Sequence, residues 1–583
     1  MLTKVNSDAL SRDLLTESPS AMIRHETTPS LPDARDAAFD RLARLGAADV
    51  LILGGGVNGA GTLRDLALNG VSAVLIDSGD FCGGASSASS RMAHGGLRYL
   101  EGREFRLVAE AAHERNLLLR QAPHLVHPLE IVVPLRTLTG GFFRAVLRFL
   151  GLSRQAGPLS LAALEGALVL YEIFGRLDRT LPRFRTLLRR RRFPAGLARE
   201  TRAVVSYYDG QILNPEGLVF EILADATRAG DAAALNHMDW TVLPDGAFEL
   251  RDRETGRSAI VRPKVVINAA GAWIDAVNGR LGLETAYVRG VKGAHLVIRN
   301  ERLRARMAGR AFYFDDGSGR MVICLPVGET ILIGTTEVET RNPDDREVAG
   351  DEIGYLLRAL GGLFEDIPLG PEDVAAVTTG IRPLQAGGGA NATQAARDHA
   401  MAENRMPGAA GAPVLSLIGG KWTTFRSFAE HAADRALALL EKPRHVSTRS
   451  LSYPGAKPVP PKALAQETGL AEARARALLA RYGGVAREVA LHCAAGPDRP
   501  VEGAPELSLR EVEWLIRCRA ARTLEDLLLR RTRLVYSGRL AAETVRDLGA
   551  ILAGTLGRDA EWRAAEIGRA LADPRIMGPE AAR

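Results

Sequence analysis

The stretch ADVLILGGGVNGAGTLRDLALNGVSAVLID, Ala48 to Asp77, constrains the fold more than any other part of the chain. Ala48, Val50, Leu51, Ile52 and Leu53 form a short apolar run, as a parallel strand buried on both faces does. Gly54, Gly56 and Gly59 then fit G-x-G-x-x-G, with Asn58 inside the motif. Leu63, Leu66 and Ala67 continue at helical spacing, and Asn69-Gly70 punctuates the end. Val71–Ile76 is a second apolar strand, closed by Asp77. Gly54 permits the tight turn, Gly56 leaves backbone N–H groups open to a pyrophosphate, and Gly59 lets helix and strand pack closely. Asp77 follows Gly59 by 18 residues, where a carboxylate meets a ribose hydroxyl. Strand, helix, strand and acid agree on a dinucleotide site in an α/β domain.

At 583 residues the chain is too long for one core, so two or three domains are expected. A formal charge of +6 is small for this length, and no aromatic-basic array accompanies it, which excludes nucleic acid as a partner. Seven lysines stand among 75 basic residues, and Lys292 and Lys421 lie in glycine-flanked motifs. Each is a pointer to a place where the broad guanidinium of arginine does not serve. The cysteines, Cys82, Cys324, Cys493 and Cys518, are widely spaced, with neither a disulfide framework nor a metal cluster indicated. Residues 1–47 are polar, of mixed charge and without an apolar signal core, and read as a disordered extension. No apolar run is long enough to span a bilayer. The nearest approach is Gly141–Arg192, which combines GFFRAVLRFLGL, the run Pro158–Gly175 and a cluster of arginines from Arg183 to Arg192. Such a segment suits either the surface of an anionic membrane or a helix packed on its own domain.

A second polar cluster follows the first motif. Ser86, Ser87, Ser89 and Ser90 can bring hydroxyls and amides close to a flavin ring or diphosphate, and His94, Gly95, Gly96, Arg98 and Tyr99 gather around a turn. The run SSASSRMAHGGLRYLE closely resembles the FAD-dependent glycerol-3-phosphate dehydrogenases, as do IGTTEVE (Ile333–Glu339), TGIRPL (Thr379–Leu384), IGGKWTTFRSFAEHA (Ile418–Ala432) and ARTLEDLLLRRTR (Ala521–Arg533). The resemblance implies non-covalent FAD and a Rossmann-like FAD-binding domain, with an antiparallel-sheet substrate domain and a C-terminal all-helical domain. The expected boundaries are a discontinuous FAD domain (about 48–100, 200–285 and 375–440) interleaved with the substrate domain (about 101–199 and 286–374), then helices over 446–583. Gly271 in NAAGAW (Asn268–Trp273) resembles the turn that returns to the nucleotide.

The family reaction takes sn-glycerol 3-phosphate to dihydroxyacetone phosphate, which demands a phosphate dianion site and a carbinol C–H held against the flavin. The resemblance points to Arg98, Arg382 and Lys421 for the phosphate, with Tyr99 lining the same pocket; an arginine fork matches phosphate oxygens bidentately. His94 and His295 are both candidates for the hydroxyl proton, since imidazole titrates near neutrality; His94 has the alternative of bonding the flavin or backbone. Thr423 and Thr424 start a helix whose dipole faces the flavin. Two departures bear on the substrate: Asn214-Pro215-Glu216-Gly217 stands where the family commonly has Asp-Asp-Ala-Arg, and Glu337 stands where aspartate is usual. Expected partners are a polyol phosphate and a quinone, with oxygen as the competing acceptor. The expected location is cytoplasmic, peripheral on the inner face of the cytoplasmic membrane, with a homodimer left open. A non-catalytic FAD-binding protein is the remaining alternative.

Overall fold

The computed structural model describes residues 33–44, 46–96, 105–139, 161–174, 180–318, 320–386, 399–408 and 411–579. Six strands form the first sheet, in the order Ala400–Arg405, Pro413–Ile418, Val265–Asn268, Val50–Leu53, Ala73–Ile76 and Ala232–Leu235. All pairs are parallel except the one between the first two strands. Alternation along the apolar strands divides them between two cores. Val50, Ile52, Ala73 and Leu75 face a layer that includes the helices Val57–Leu68, Pro215–Ala229 and Phe425–Leu439. Leu51, Leu53, Val74 and Ile76 face Trp240, Phe248 and Leu250 of a three-stranded sheet.

That second face is also covered by the helix Ala34–Arg44, which corrects the expectation of disorder through residue 47. Phe39 and Leu42 bury themselves in the same core. The Arg35 guanidinium is buried too, bonding Asp252 at 2.7 and 2.8 Å and the Asn236 carbonyl at 2.8 Å. Mixed charge in the sequence concealed one arginine with a buried partner.

The second large sheet has ten strands: eight run from Val338–Thr340 through Val288–Ile298, Thr330–Gly334, Met321–Val327, Ala311–Asp315, Val126–Leu135 and Ala203–Ile212 to Met92–Ala93, and off this path Val374–Gln385 pairs with Val288–Ile298 and Arg185–Leu187 with Ala203–Ile212. It is antiparallel apart from the pairing of Ala311–Phe312 with Ile131–Val132. Three of its strands, Met92–Ala93, Ala203–Ile212 and Val374–Gln385, lie in segments expected in the FAD domain. Ala203–Ile212 pairs along its whole length with Val126–Leu135, and Val374–Gln385 pairs with Val288–Ile298 from Gln385 to Val374. The second pairing carries Arg382 onto the substrate sheet. Residues after 446 are mainly helical, with one short hairpin, Pro500–Val501 against Ala504–Ser508. Among the described residues no helix is long and apolar enough to cross a membrane.

Candidate active site

Gly54 follows the strand Val50–Leu53 with φ of +116°, and a Cβ there would meet the Ala269 carbonyl oxygen at 2.6 Å. Gly59 lies in the next helix, and its Cβ would meet the Gly54 oxygen at 2.0 Å, so close packing of helix on turn requires both. Gly56 differs: the nearest atom to its Cβ is Ser86 Oγ at 3.2 Å, and otherwise it faces a cavity. That cavity, about 560 Å³, lies at the C-terminal ends of the parallel strands, where α/β sheets bind ligands. Gly54, Gly56, Asn58, Asp77, Ser86, Gly271, Gly420 and Lys421 all line it. The Asp77 carboxylate accepts from Gly55 N (2.7 Å) and Gly79 N (2.9 Å), which fixes it at the tip of its strand.

The polar turn after the serines is held from three directions. Ser86 Oγ accepts from Val57 N at 3.1 Å, and its carbonyl accepts from Trp422 Nε1 at 2.7 Å. Thr423 Oγ1 accepts from His94 N (3.0 Å) and donates to His94 O (3.1 Å), which joins the two motifs. Gly95 N donates to Tyr171 Oη at 2.8 Å; Tyr171 in turn donates to Asp209 at 2.7 Å, and Arg115 pairs with Asp209 at 2.7 Å. His94 Nδ1 accepts from Gly96 N at 3.1 Å, so in the neutral ring the proton sits on Nε2 and His94 organises the turn. Ser87 only closes a local turn, bonding Gly84 O at 3.2 Å. Thr424 is buried at the start of the helix Phe425–Leu439.

Ser90 Oγ lies 2.9 Å from His295 Nε2. The ring is 2% exposed, Nδ1 has no partner among the described residues, and burial with the charges of Arg382 and Arg91 holds its pKa to about 3. His295 is therefore neutral at physiological pH. The Arg382 guanidinium reaches across the neighbouring strand, where a Cβ on Gly293 would stand 2.9 Å from Nη2. Nη2 donates to Thr335 Oγ1 at 2.9 Å and Nη1 to Glu337 Oε1 at 3.3 Å. Lys421 follows Gly419 and Gly420, both in left-handed conformation (φ +74° and +101°), and Pro383 beside Arg382 lines the same cavity. Arg98 and Tyr99 lie outside the described residues.

Three further features were not read from the sequence. Gly293 clears the path of Arg382; its signal was a glycine beside Lys292 in VKGAH. Lys292 itself is structural, its Nζ donating to Glu347 O at 2.7 Å and pairing with Asp345 at 3.3 Å. The C-terminal domain supplies Thr523, Glu525, Asp526 and Arg530 to the cavity wall. It is fastened by buried charges: Arg530 and Arg531 both bond the buried Asp80 carboxylate, while Asp526 pairs with Arg530 at 2.8 Å and His237 at 3.0 Å. Of the two departures, Glu216 pairs with buried Arg91 at 2.7 Å beneath the Tyr536 ring, so it belongs to domain packing; Glu337 alone touches Arg382.

Residues 49–399 match the FAD-dependent oxidoreductase family, and residues 446–563 match the C-terminal domain of alpha-glycerophosphate oxidase. A Synechocystis glycerol-3-phosphate dehydrogenase is 32% identical over 515 residues, covering 83% of this chain and 88% of that protein. A Mycobacterium leprae glycerol-3-phosphate dehydrogenase is 31% identical over 572 residues, covering 93% and 89%. The chain belongs to the FAD-dependent glycerol-3-phosphate dehydrogenase family. The crystal structure of the Bacillus halodurans glycerol-3-phosphate dehydrogenase complexed with FAD shares the fold, with a TM-score of 0.69 at 22% identity over 92% of this chain and 96% of that one. The cofactor of this family member is FAD. The cavity fits it: the side-chain-free Gly56 and the N–H groups opening the helix Val57–Leu68 suit a diphosphate, and Asp77 suits a ribose. Cys82 offers no attachment point, because burial pushes its thiol well above the ordinary range.

Proposed function

We propose that the protein oxidises sn-glycerol 3-phosphate to dihydroxyacetone phosphate and passes the electrons to a membrane quinone. The observation that carries the reading is the cationic edge of the cavity, where Lys421 lines the wall and Arg382 stands beside lining Pro383. The relatives' names, glycerol-3-phosphate dehydrogenase, agree with it. FAD, when bound, supplies the two-electron acceptor. Arg382 offers a planar fork to the phosphate and Lys421 a point charge, fixing one end of a three-carbon substrate. His295 takes the hydroxyl proton at Nδ1 as the carbinol carbon becomes a ketone. A dianion docked near Arg382 offsets the charge that depresses this imidazole, so its basicity rises when substrate is present. Arg98 and Tyr99 are proposed to complete the phosphate pocket, and Thr423 and Thr424 to place a helix N-terminus against the flavin. Anaerobic mixing tests the reaction: glycerol 3-phosphate should bleach the flavin, and glycerol, lacking the phosphate, should not.

The quinone reading is supported by an exposed apolar surface around the helix Leu161–Phe174. Leu138, Val169 and Leu188 are among the large apolar side chains left exposed, at 46%, 48% and 60%. The helix Leu161–Phe174 ties them together: Ala162 N bonds Leu138 O, and Glu165 accepts from Thr186. Arg189, Arg191 and Arg192 are exposed beside Leu188. This face is proposed to rest on the cytoplasmic membrane; Gly141–Leu152 lies outside the described residues. Oxygen is the second reading for the acceptor, favoured by the match of residues 446–563 to a domain of alpha-glycerophosphate oxidase. Stoichiometric peroxide without added quinone would select it.

A further inference from the structure

The His295 ring is placed by its neighbours on two sides. It lies over Gly334 of the adjacent strand, where any Cβ would run into Cδ2, so only a glycine leaves room for it. At the ring's edge Nε2 meets Ser90 Oγ at 2.9 Å, across 205 residues of sequence. Ser90 has a rigid seat. Ser89 Oγ accepts from Arg91 N at 3.2 Å, Arg91 O accepts from Ile212 N at 2.8 Å, and the buried Arg91 guanidinium pairs with Glu216 at 2.7 Å. Of the four serines of the polar run, Ser86 is the one that lines the cofactor cavity; the Ser90 hydroxyl is turned to the imidazole instead. That leaves Nδ1, which is buried and has no partner among the described residues.

Which nitrogen carries the proton follows from this asymmetry. A hydroxyl can donate or accept. If Ser90 donated to Nε2, Nδ1 would be a buried N–H with no acceptor, and orphaned buried donors are rarer than orphaned acceptors. If Nε2–H donates to Ser90 Oγ, Nδ1 keeps a lone pair, which the positive charges of Arg382 and Arg91 favour over an N–H.

We propose that Ser90 is a positioning residue for the reaction: its oxygen accepts from Nε2–H, which fixes the tautomer of His295 and leaves Nδ1 as the lone pair that meets the substrate hydroxyl. The inference rests on the reading of His295 as the base. In that step the substrate O–H bond breaks and its proton passes to Nδ1, while the carbinol hydride leaves to the flavin, so a ketone forms and charge balances. The charge that arrives on the ring strengthens the bond from Nε2–H to Ser90 Oγ, since a charge-assisted hydrogen bond is stronger than the neutral one it replaces. The serine thereby acts on the rate of the step and leaves the docking of the phosphate alone.

The test follows anaerobic flavin reduction of the holoenzyme by glycerol 3-phosphate, reading the limiting rate, the half-saturating concentration and the flavin content. Ser90→Ala should lower the limiting rate about tenfold, the scale of one buried hydrogen bond, with half-saturation and flavin content unchanged. Ser90→Thr, which keeps the hydroxyl, should restore most of the rate. His295→Gln should cost more, and adding Ser90→Ala to it should cost nothing further, because the serine acts only through the ring. A Ser90→Ala loss that persists in full in the His295→Gln background, or a threonine variant as slow as the alanine one, refutes the positioning role while His295 stands. Loss of flavin from Ser90→Ala makes the serine a cofactor ligand and refutes it as well. If His295→Gln reduces its flavin as fast as wild type, the base reading fails and this inference with it.

Discussion

In the unfolded chain His295 titrates near 6.5, the ordinary value for imidazole; in the native state burial and two neighbouring arginines hold it to about 3. Between these values the unfolded chain binds a proton that the folded chain refuses. Stability therefore rises with pH across that window and is lost as pH falls through 6.5. At pH 5.5 the loss from this group is about 1.4 kcal/mol relative to alkaline pH. His295→Gln should flatten the fall in thermal midpoint between pH 7.5 and 5.5. An unchanged slope would mean that the ring titrates normally and lies outside the field of Arg382. At this scale the sequence was a good guide to which residues cluster and a poor one to their roles. His94 and His295 look alike in a string of letters; only the bond from Gly96 N to His94 Nδ1 and the burial of His295 separate them.

The strand–turn–helix from Val50 to Leu68 was legible in detail because each glycine in it answers a steric demand. Those demands differ, and that gives a pair of outcomes. A methyl on Gly59 would run into the Gly54 carbonyl, so Gly59→Ala should destabilise even the flavin-free protein, by about 1–3 kcal/mol, and lose FAD as well. Gly56 faces the cavity, so Gly56→Val should lose FAD while the flavin-free protein melts as wild type does. The ratio of flavin to protein absorbance and the melting of the apo forms decide between them; equal destabilisation by both would erase the distinction. Other elements were less legible. The helix Ala34–Arg44 owes its place to Arg35 reaching Asn236 and Asp252, some two hundred residues away, which no local pattern records. Val374–Gln385 was expected within the FAD domain and pairs with Val288–Ile298 in the second sheet, because strand character is local but partner choice is not.

For the whole molecule, the arrangement of three parts about one cavity followed from motif order, whereas the fastening between them did not. Asp80 sits three residues beyond Asp77, and Arg530 and Arg531 are two among many arginines; their pairing is a tertiary fact. The same holds for the basic cluster at 189–192. Arg190, though exposed, donates to Leu197 O at 3.0 Å and to nearby carbonyls, so its guanidinium is tied to its own loop while its neighbours are not seen to be. Replacing Arg189, Arg191 and Arg192 by glutamine should release the protein from anionic vesicles at low salt, each charge being worth about 1 kcal/mol at such a surface. Flavin reduction by substrate should be unaffected. Equal sedimentation of wild type and variant would make this cluster a solvated face.

The central claim is that a phosphate-bearing alcohol docks on Arg382 and Lys421 and reduces the flavin. Anaerobic titration of the purified flavoprotein with sn-glycerol 3-phosphate, followed by flavin absorbance, addresses it without any assumption about the electron acceptor. Wild type should bleach fully, with glycerol inert. Lys421→Ala should reach the same end point only at substrate concentrations about one to two decades higher, the cost of one charge-assisted contact. A flavin that stays yellow at saturating glycerol 3-phosphate, or a Lys421→Ala titration that overlays the wild type, would contradict it.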